Sequence, residues 1–333
     1  MKKLILVLVV AGIAASASAE GPDITITGRL EGNCTASKGT APDWSFGMSS
    51  LYGLVEGEFG EHFSYLASLH LLSTAPRELY CNEKPLVYGS WLNAAYLSFD
   101  TGKIGIDAGK LFYTAGTFEM DEYDVYSYIP IVSDFWMSLT TYQYGLAFRF
   151  KPSEDHVLKA QVTTSPYMTE LSTGNLAYGL SWTGQMGRFS TIWAVGTQRG
   201  PELNDEGEIL PGTKVYYMTY GLGNRLTFDN FQYTLELTNY AVRQAADLKN
   251  TSVKFDFACI ADDSIRPVVT VSMERLRDLK YGFRLEWFPL KDDAMRVFVA
   301  ASNRHFSESL PEEPSHIFSA CAGLTYDLRL SFK

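Results

Sequence analysis

The chain has 333 residues, with 28 Lys and Arg against 38 Asp and Glu, for a formal charge of −10. That balance excludes the basic face that a nucleic-acid partner requires. Aromatic residues make up 14%, with 20 Tyr and 20 Phe, a bias towards surfaces that are apolar on one side and wet on the other.

The chain opens with Lys2 and Lys3, an apolar run from Leu4 to Ala14, and the small residues Ala17-Ser18-Ala19. This order predicts a secretory signal peptide over residues 1–19, cut before Glu20. The apolar run falls short of the roughly 20 residues a helical membrane span needs. No later run reaches that length, so residues 20–333 are not expected to cross a membrane as helices. Losing Lys2 and Lys3 takes the formal charge from −10 to −12.

The rest of the chain reads as strands. Sixteen are expected, near 23–32, 47–59, 62–72, 87–100, 103–111, 139–151, 155–164, 176–186, 188–198, 213–228, 230–242, 250–261, 264–274, 277–288, 293–302 and 316–332. Successive side chains of a strand point to opposite faces. Tyr142, Tyr144, Leu146, Phe148 and Phe150 interleave with Gln143, Gly145, Ala147, Arg149 and Lys151. Phe231 to Thr238 and Tyr281 to Trp287 alternate in the same way. The last stretch carries it furthest: Phe318, Ala320, Ala322, Leu324, Tyr326, Leu328, Leu330 and Phe332 alternate with polar, charged or small residues. One greasy and one polar face over so long a run implies a different solvent on each side. A membrane β-barrel supplies lipid outside and water inside.

The connections carry the same message. Short ones at 60–61, 101–102, 152–154, 187, 229, 262–263 and 290–292 alternate with mostly longer ones at 33–46, 73–86, 112–138, 165–175, 199–212, 243–249, 275–276 and 303–315. Only 275–276 breaks the rhythm. Up-and-down barrels put tight turns on the periplasmic rim and long loops outside. The expected fold is therefore all-β: an antiparallel up-and-down transmembrane barrel of about 16 strands. A soluble β-sandwich also alternates, but it explains neither the short-long rhythm nor the long last strand.

Of the four cysteines, Cys34 and Cys81 fall in connections read on one rim, where an oxidising compartment permits a disulfide. Cys259 and Cys321 fall on strands with opposite parity and read as small strand residues. No CxxC or Cys/His metal spacing occurs, and nothing calls for a cofactor.

One stretch resembles a known family. Gly105-Ile106-Asp107-Ala108-Gly109-Lys110, then Leu111-Phe112, the turn at Ala115-Gly116, the aromatic and acidic run Asp121 to Tyr128, and Ser133-Asp134-Phe135-Trp136 are similar to outer-membrane porins. The specific resemblance is to the phosphate-selective porin O/P-like family and its Bacteroidetes relatives. It is sharpest over 103–150 and architectural elsewhere. It implies a sixteen-stranded barrel in the bacterial outer membrane, a homotrimer, for passive uptake of small solutes or ions. The chain departs from the usual aromatic terminus, since Lys333 follows Phe332.

A channel needs a polar lumen and a constriction. The inward parity contains the basic residues Arg29, Arg149, Lys159, Arg225, Lys254, Arg284, Arg296 and Arg329, and the acids Glu31, Glu56, Glu58, Glu236, Asp256 and Glu286. On the lipid face such charges would cost a few kcal/mol. Each could equally belong to an inert, mutually paired wall. Connection 112–138 is the longest, has the acids Glu119, Asp121, Glu122, Asp124 and Asp134, and has no Lys or Arg. In porins the third loop folds into the barrel, so the resemblance implies that this one is the constriction. The alternative is a surface loop forming a rim or a trimer contact. Because the loop is acidic, a general or weakly cation-preferring pore is expected over an anion-specific one.

Two other classes compete. A closed barrel could serve as an adhesin or structural protein through its outer loops. A barrel hydrolase would need a Ser, His and acid set, and His62, His70, His156, His305 and His316 are the histidines available. Ser309, Glu308, Glu312 and Glu313 stand near His305, but no nucleophile motif accompanies them. For the oligomer, Ile24, Ile26, Leu30, Leu328, Leu330 and Phe332 could face a second copy or lipid equally well.

Overall fold

The computed structural model describes residues 21–46, 49–73, 92–121, 124–138, 142–165, 175–203, 209–242, 248–290, 293–307 and 314–332. The expected signal peptide, Cys81 and Glu122 lie outside the described residues.

Strands dominate the chain. They are β1 (Asp23–Ser37), β2 (Asp43–Ser45), β3 (Ser50–Phe59), β4 (Phe63–Ser73), β5 (Leu92–Asp100), β6 (Ile104–Phe112), β7 (Tyr142–Ser153), β8 (His156–Thr164) and β9 (Leu176–Met186). They continue as β10 (Phe189–Leu203), β11 (Ile209–Thr227), β12 (Phe231–Val242), β13 (Thr251–Cys259), β14 (Ile265–Glu274), β15 (Asp278–Trp287), β16 (Met295–His305) and β17 (His316–Ser331). All 17 join one sheet. β2 is a three-residue addition beside the end of β1. The other sixteen pair antiparallel with their neighbours in chain order, and β1 closes on β17 from Asp23↔Ser331 to Ser37↔Ile317. Closure leaves no unpaired edge, which a strand surrounded by lipid could not tolerate.

The sixteen expected strands are present, with shifted ends. β1 runs to Ser37 because β17 is long enough to pair with it all the way. Cys34 therefore stands on a strand, opposite Ala320, and not in a connection as the sequence reading had it. β16 likewise runs on to His305 against His316. The connection expected at 275–276 is the three-residue turn Arg275–Arg277, which closes Glu274 against Asp278 and in which Arg275 and Leu276 both adopt positive φ, 55° and 49°. Such a turn matches the twist of the flanking strands and is tight by nature. That is why it breaks the rhythm of connection lengths.

The alternation becomes an outer belt. Leu146, Phe148, Leu180, Leu235, Phe255, Phe283 and Leu328 are all exposed on the outside of the wall. A contiguous apolar surface of this extent far exceeds what a soluble monomer presents. The inward faces of the wall hold Gln161, Glu236, Lys254, Thr270, Ser272 and Glu286, all buried. Among the described residues no helix is long and apolar enough to cross a membrane, so strands are what the chain offers for crossing.

Candidate functional site

β6 ends at Phe112, and the chain then turns into the barrel. The segment that follows contains α1 (Phe118–Asp121), a 3-10 turn at Asp124–Tyr126, and α2 (Asp134–Ser138). Each piece is short because the segment follows the wall and has no long axis of its own.

The first stretch lies along β8 to β11. Tyr113 Oη donates to Tyr178 O at 3.0 Å, and Thr114 N donates to Gln161 Oε1 at 2.8 Å. Gln161 Nε2 returns a bond to Phe112 O at 2.8 Å. Glycines in the wall make this approach feasible. A Cβ on Gly179 would fall 2.5 Å from Thr114 O, and one on Gly196 would fall 2.4 Å from Tyr113 Oη. Only a residue without a Cβ allows another backbone so near. Tyr113, Ala115, Met120, Phe135 and Ala177 close over this contact as a buried apolar cluster.

The middle of the segment is fixed to β12 and β13. Lys254 Nζ donates to Glu119 Oε1 at 2.7 Å, and Glu119 N donates to Glu236 Oε1 at 2.9 Å. Phe118 lies under the Arg225 guanidinium, 4.0 Å from its ring centroid. Between segment and wall is a small polar recess of about 40 Å³, lined in part by Phe118, Glu119, Arg225, Lys254, Asp256 and Arg284.

The far stretch reaches the opposite wall. Arg29 Nη1 donates to Val125 O at 2.5 Å and Ser127 O at 2.8 Å. Tyr126 Oη donates to Asp327 at 2.8 Å, and Tyr128 Oη to Glu286 at 2.8 Å. On the way back, Lys280 Nζ donates to Val132 O at 2.6 Å, and Ser302 Oγ donates to Pro130 O. Arg304 then grips Asp134 with two bonds, of 2.6 and 2.8 Å. The segment thus spans the lumen from β8 and β9 to β15, β16, β17 and β1.

The loop acids have different surroundings. Glu119 is paired with Lys254, both side chains nearly fully buried, and Asp134 is paired with Arg304. Asp121 opens to the lumen but is crowded on most sides by protein. Burial pushes its carboxyl above the ordinary range, against the opposing pull of Lys159 and Arg225. Asp124 lies in the 3-10 turn. Asp121 is the loop acid on which Lys159 and Arg225 act from the wall.

The wall cations are also largely engaged. Arg149 bonds Asp100 at 3.0 Å and Asp107 at 2.9 Å. Arg296 and Arg284 approach Glu286 at 2.9 and 3.6 Å, and Arg29 pairs with Glu31. Arg329, more than half exposed, approaches Asp327 at 3.5 Å. Sequence reasoning missed Arg304, Lys280, Asp278 and Gln161. Lys280 and Asp278 share the parity of Arg284, and Arg304 shares that of Arg296. Carrying the alternation two residues further along β16 would have found Arg304.

Of the histidines, only His305 and His316 stand together among the described residues. His70 stacks on Tyr52 with ring centroids 4.3 Å apart, His156 lies beside Trp182, and His305 stacks on His316.

No family model matches the chain, and no curated protein matches it. Solved structures do. The trimer form of OmpT, an outer membrane protein of Vibrio cholerae, has a TM-score of 0.57 at 10% identity, over 92% of this chain and 99% of that one. OprB of Pseudomonas putida gives 0.61 at 9% identity, over 92% and 94%. A mutant of the Rh. blastica porin gives 0.58 at 14% identity, over 92% and 100%. At these identities the likeness speaks for architecture alone. The chain has the fold of the bacterial outer-membrane β-barrels, a closed antiparallel barrel of 16 strands.

Proposed function

We propose that this barrel is a passive diffusion channel of the outer membrane for small hydrophilic solutes and ions, narrowed by the segment 113–138. The observation that carries the reading is the docking of that segment across the lumen, through Gln161, Lys254, Arg29, Lys280 and Arg304 in turn. An adhesin or scaffold needs a stable wall and outer loops; it has no use for an inner segment held at so many points. The gap is charged rather than greasy, which suits hydrated solutes.

Selectivity in this reading is weak. Glu119 and Asp134 are neutralised by the cations that hold them, so the transverse field falls to Asp121, opposite Lys159 and Arg225. The preference is for cations. The relation to the phosphate-selective porin O/P-like family rests on the stretch 103–150, and phosphate selectivity is not part of the proposal. The assembly proposed is a homotrimer through the outward faces of β1 and β17, with Ile26, Leu30, Leu328 and Leu330. The trimer form of the V. cholerae protein supports it by architecture.

The test is single-channel conductance of the purified barrel in a planar bilayer with a salt gradient. Stepwise insertions with a reversal potential of cationic sign support the reading. An anionic sign moves the selectivity to the lumen arginines. No conductance from a folded barrel overturns the channel and favours the adhesin or hydrolase.

A further inference from the structure

We propose that His305 and His316 form a binding site for one divalent transition-metal ion, such as Zn²⁺ or Cu²⁺, at the rim of the barrel. The two residues are direct cross-strand partners, at the ends of β16 and β17 where connection 306–315 begins and finishes. Both are exposed. Their rings stack with centroids 4.5 Å apart and planes 27° from parallel. By strand parity they continue the outward row of Asn303 and Phe318, so the pair faces away from the lumen. The site therefore does not depend on the channel reading.

The hydrogen bonds give the pair its chemistry. His305 Nδ1 lies 3.2 Å from Ser315 O, and His316 Nδ1 lies 3.4 Å from Asn303 Oδ1. A carbonyl oxygen only accepts, so in both rings the proton sits on Nδ1. In the neutral ring Nε2 then keeps its lone pair, and among the described residues no hydrogen bond uses it. Metal-binding histidines are usually held this way: one nitrogen donates to an oxygen, which fixes tautomer and ring orientation, and the other ligates. Each Nε2 lone pair lies in its ring plane, so the stack must open for both rings to reach one ion; the exposed side chains are free to rotate until both Nε2 atoms stand at the roughly 2.0–2.1 Å of a zinc–imidazole bond. The two imidazoles supply two ligands and leave the remaining positions of the ion to other oxygen donors, water among them. The choice of metal follows from the donors, since imidazole suits zinc and copper while calcium and magnesium prefer oxygen. A bound ion would clamp the ends of β16 and β17 together at the base of the connection.

Calorimetric titration of the full barrel in detergent with ZnCl₂ tests this, alongside His305→Ala, His316→Ala and Asn303→Ala. Expected is one Zn²⁺ per chain, with each histidine variant losing at least the roughly 10–100-fold that even a supporting partner is worth. Asn303→Ala, which removes an orienting acceptor only, should lose less. Cu²⁺ paramagnetic resonance should report two nitrogen ligands in the parent and one in either histidine variant. Both rings are exposed, so the variants should fold, and unchanged thermal unfolding without metal checks that they do. No binding by the parent, or parental affinity kept by either histidine variant, overturns the site.

Discussion

Lys254 Nζ and Glu119 Oε1 are 2.7 Å apart, with side chains only 8% and 7% exposed. They join strand β13 to a segment 135 residues away in the chain. Breaking a buried pair from one side leaves a charge without compensation, at about 3–5 kcal/mol. Lys254→Met should therefore loosen the segment rather than merely change its charge. Single-channel recordings should show a larger, noisier conductance. Adding Glu119→Gln, which removes the stranded charge, should recover part of the parental trace.

Arg304 and Asp134 make a paired, fork-like contact of the kind that fixes geometry as well as charge. Replacing Arg304 with Ala takes the fork-like partner from Asp134 and one partner from Asp278, and removes one cation. The reversal potential in a salt gradient should move further in the cationic direction. Arg304→Ala with Asp134→Asn should move it back. If neither changes it, Asp134 does not see the ion path.

Gly196 is where the wall leaves room for Tyr113. A Cβ there would meet Tyr113 Oη at 2.4 Å and Thr219 Oγ1 at 2.6 Å. Gly196→Val should cost about 1–3 kcal/mol as overpacking. The segment is the softer partner, because the wall is held by continuous strand pairing. The expected readout is a changed conductance with little loss of barrel thermal stability. Gly28→Val, at a position whose Cβ meets nothing within 4 Å, is the control.

The Asp121 carboxyl is held above its ordinary range by burial. As pH falls, it takes its proton before an ordinary exposed carboxylate does. Its share of the transverse field therefore disappears first, above the pH at which ordinary carboxylates titrate. Cation preference should decline in that region, and Asp121→Asn should lack the step while keeping any decline at lower pH. An identical pH profile in parent and variant would remove Asp121 from the filter.

The barrel was legible in the sequence because lipid and water impose a period of two on every strand. Runs such as Tyr142 to Lys151 and Phe318 to Phe332 state strand, face and length together. Where the reading went short, as at Cys34 and Arg304, small or polar residues at strand ends gave no contrast between the faces. Pairing with a long neighbour carried those strands further. The inner segment was different. Its length and acidity marked it out, but its charges could not be assigned from composition. Whether Glu119 faces the ion path or Lys254 depends on contacts between residues more than a hundred positions apart, and local pattern does not encode them. The wall is written in the chain itself, since each strand residue is chosen by the solvent it faces. Which acids anchor the segment and which face the lumen follows from closure of the barrel, because closure is what brings the partners together.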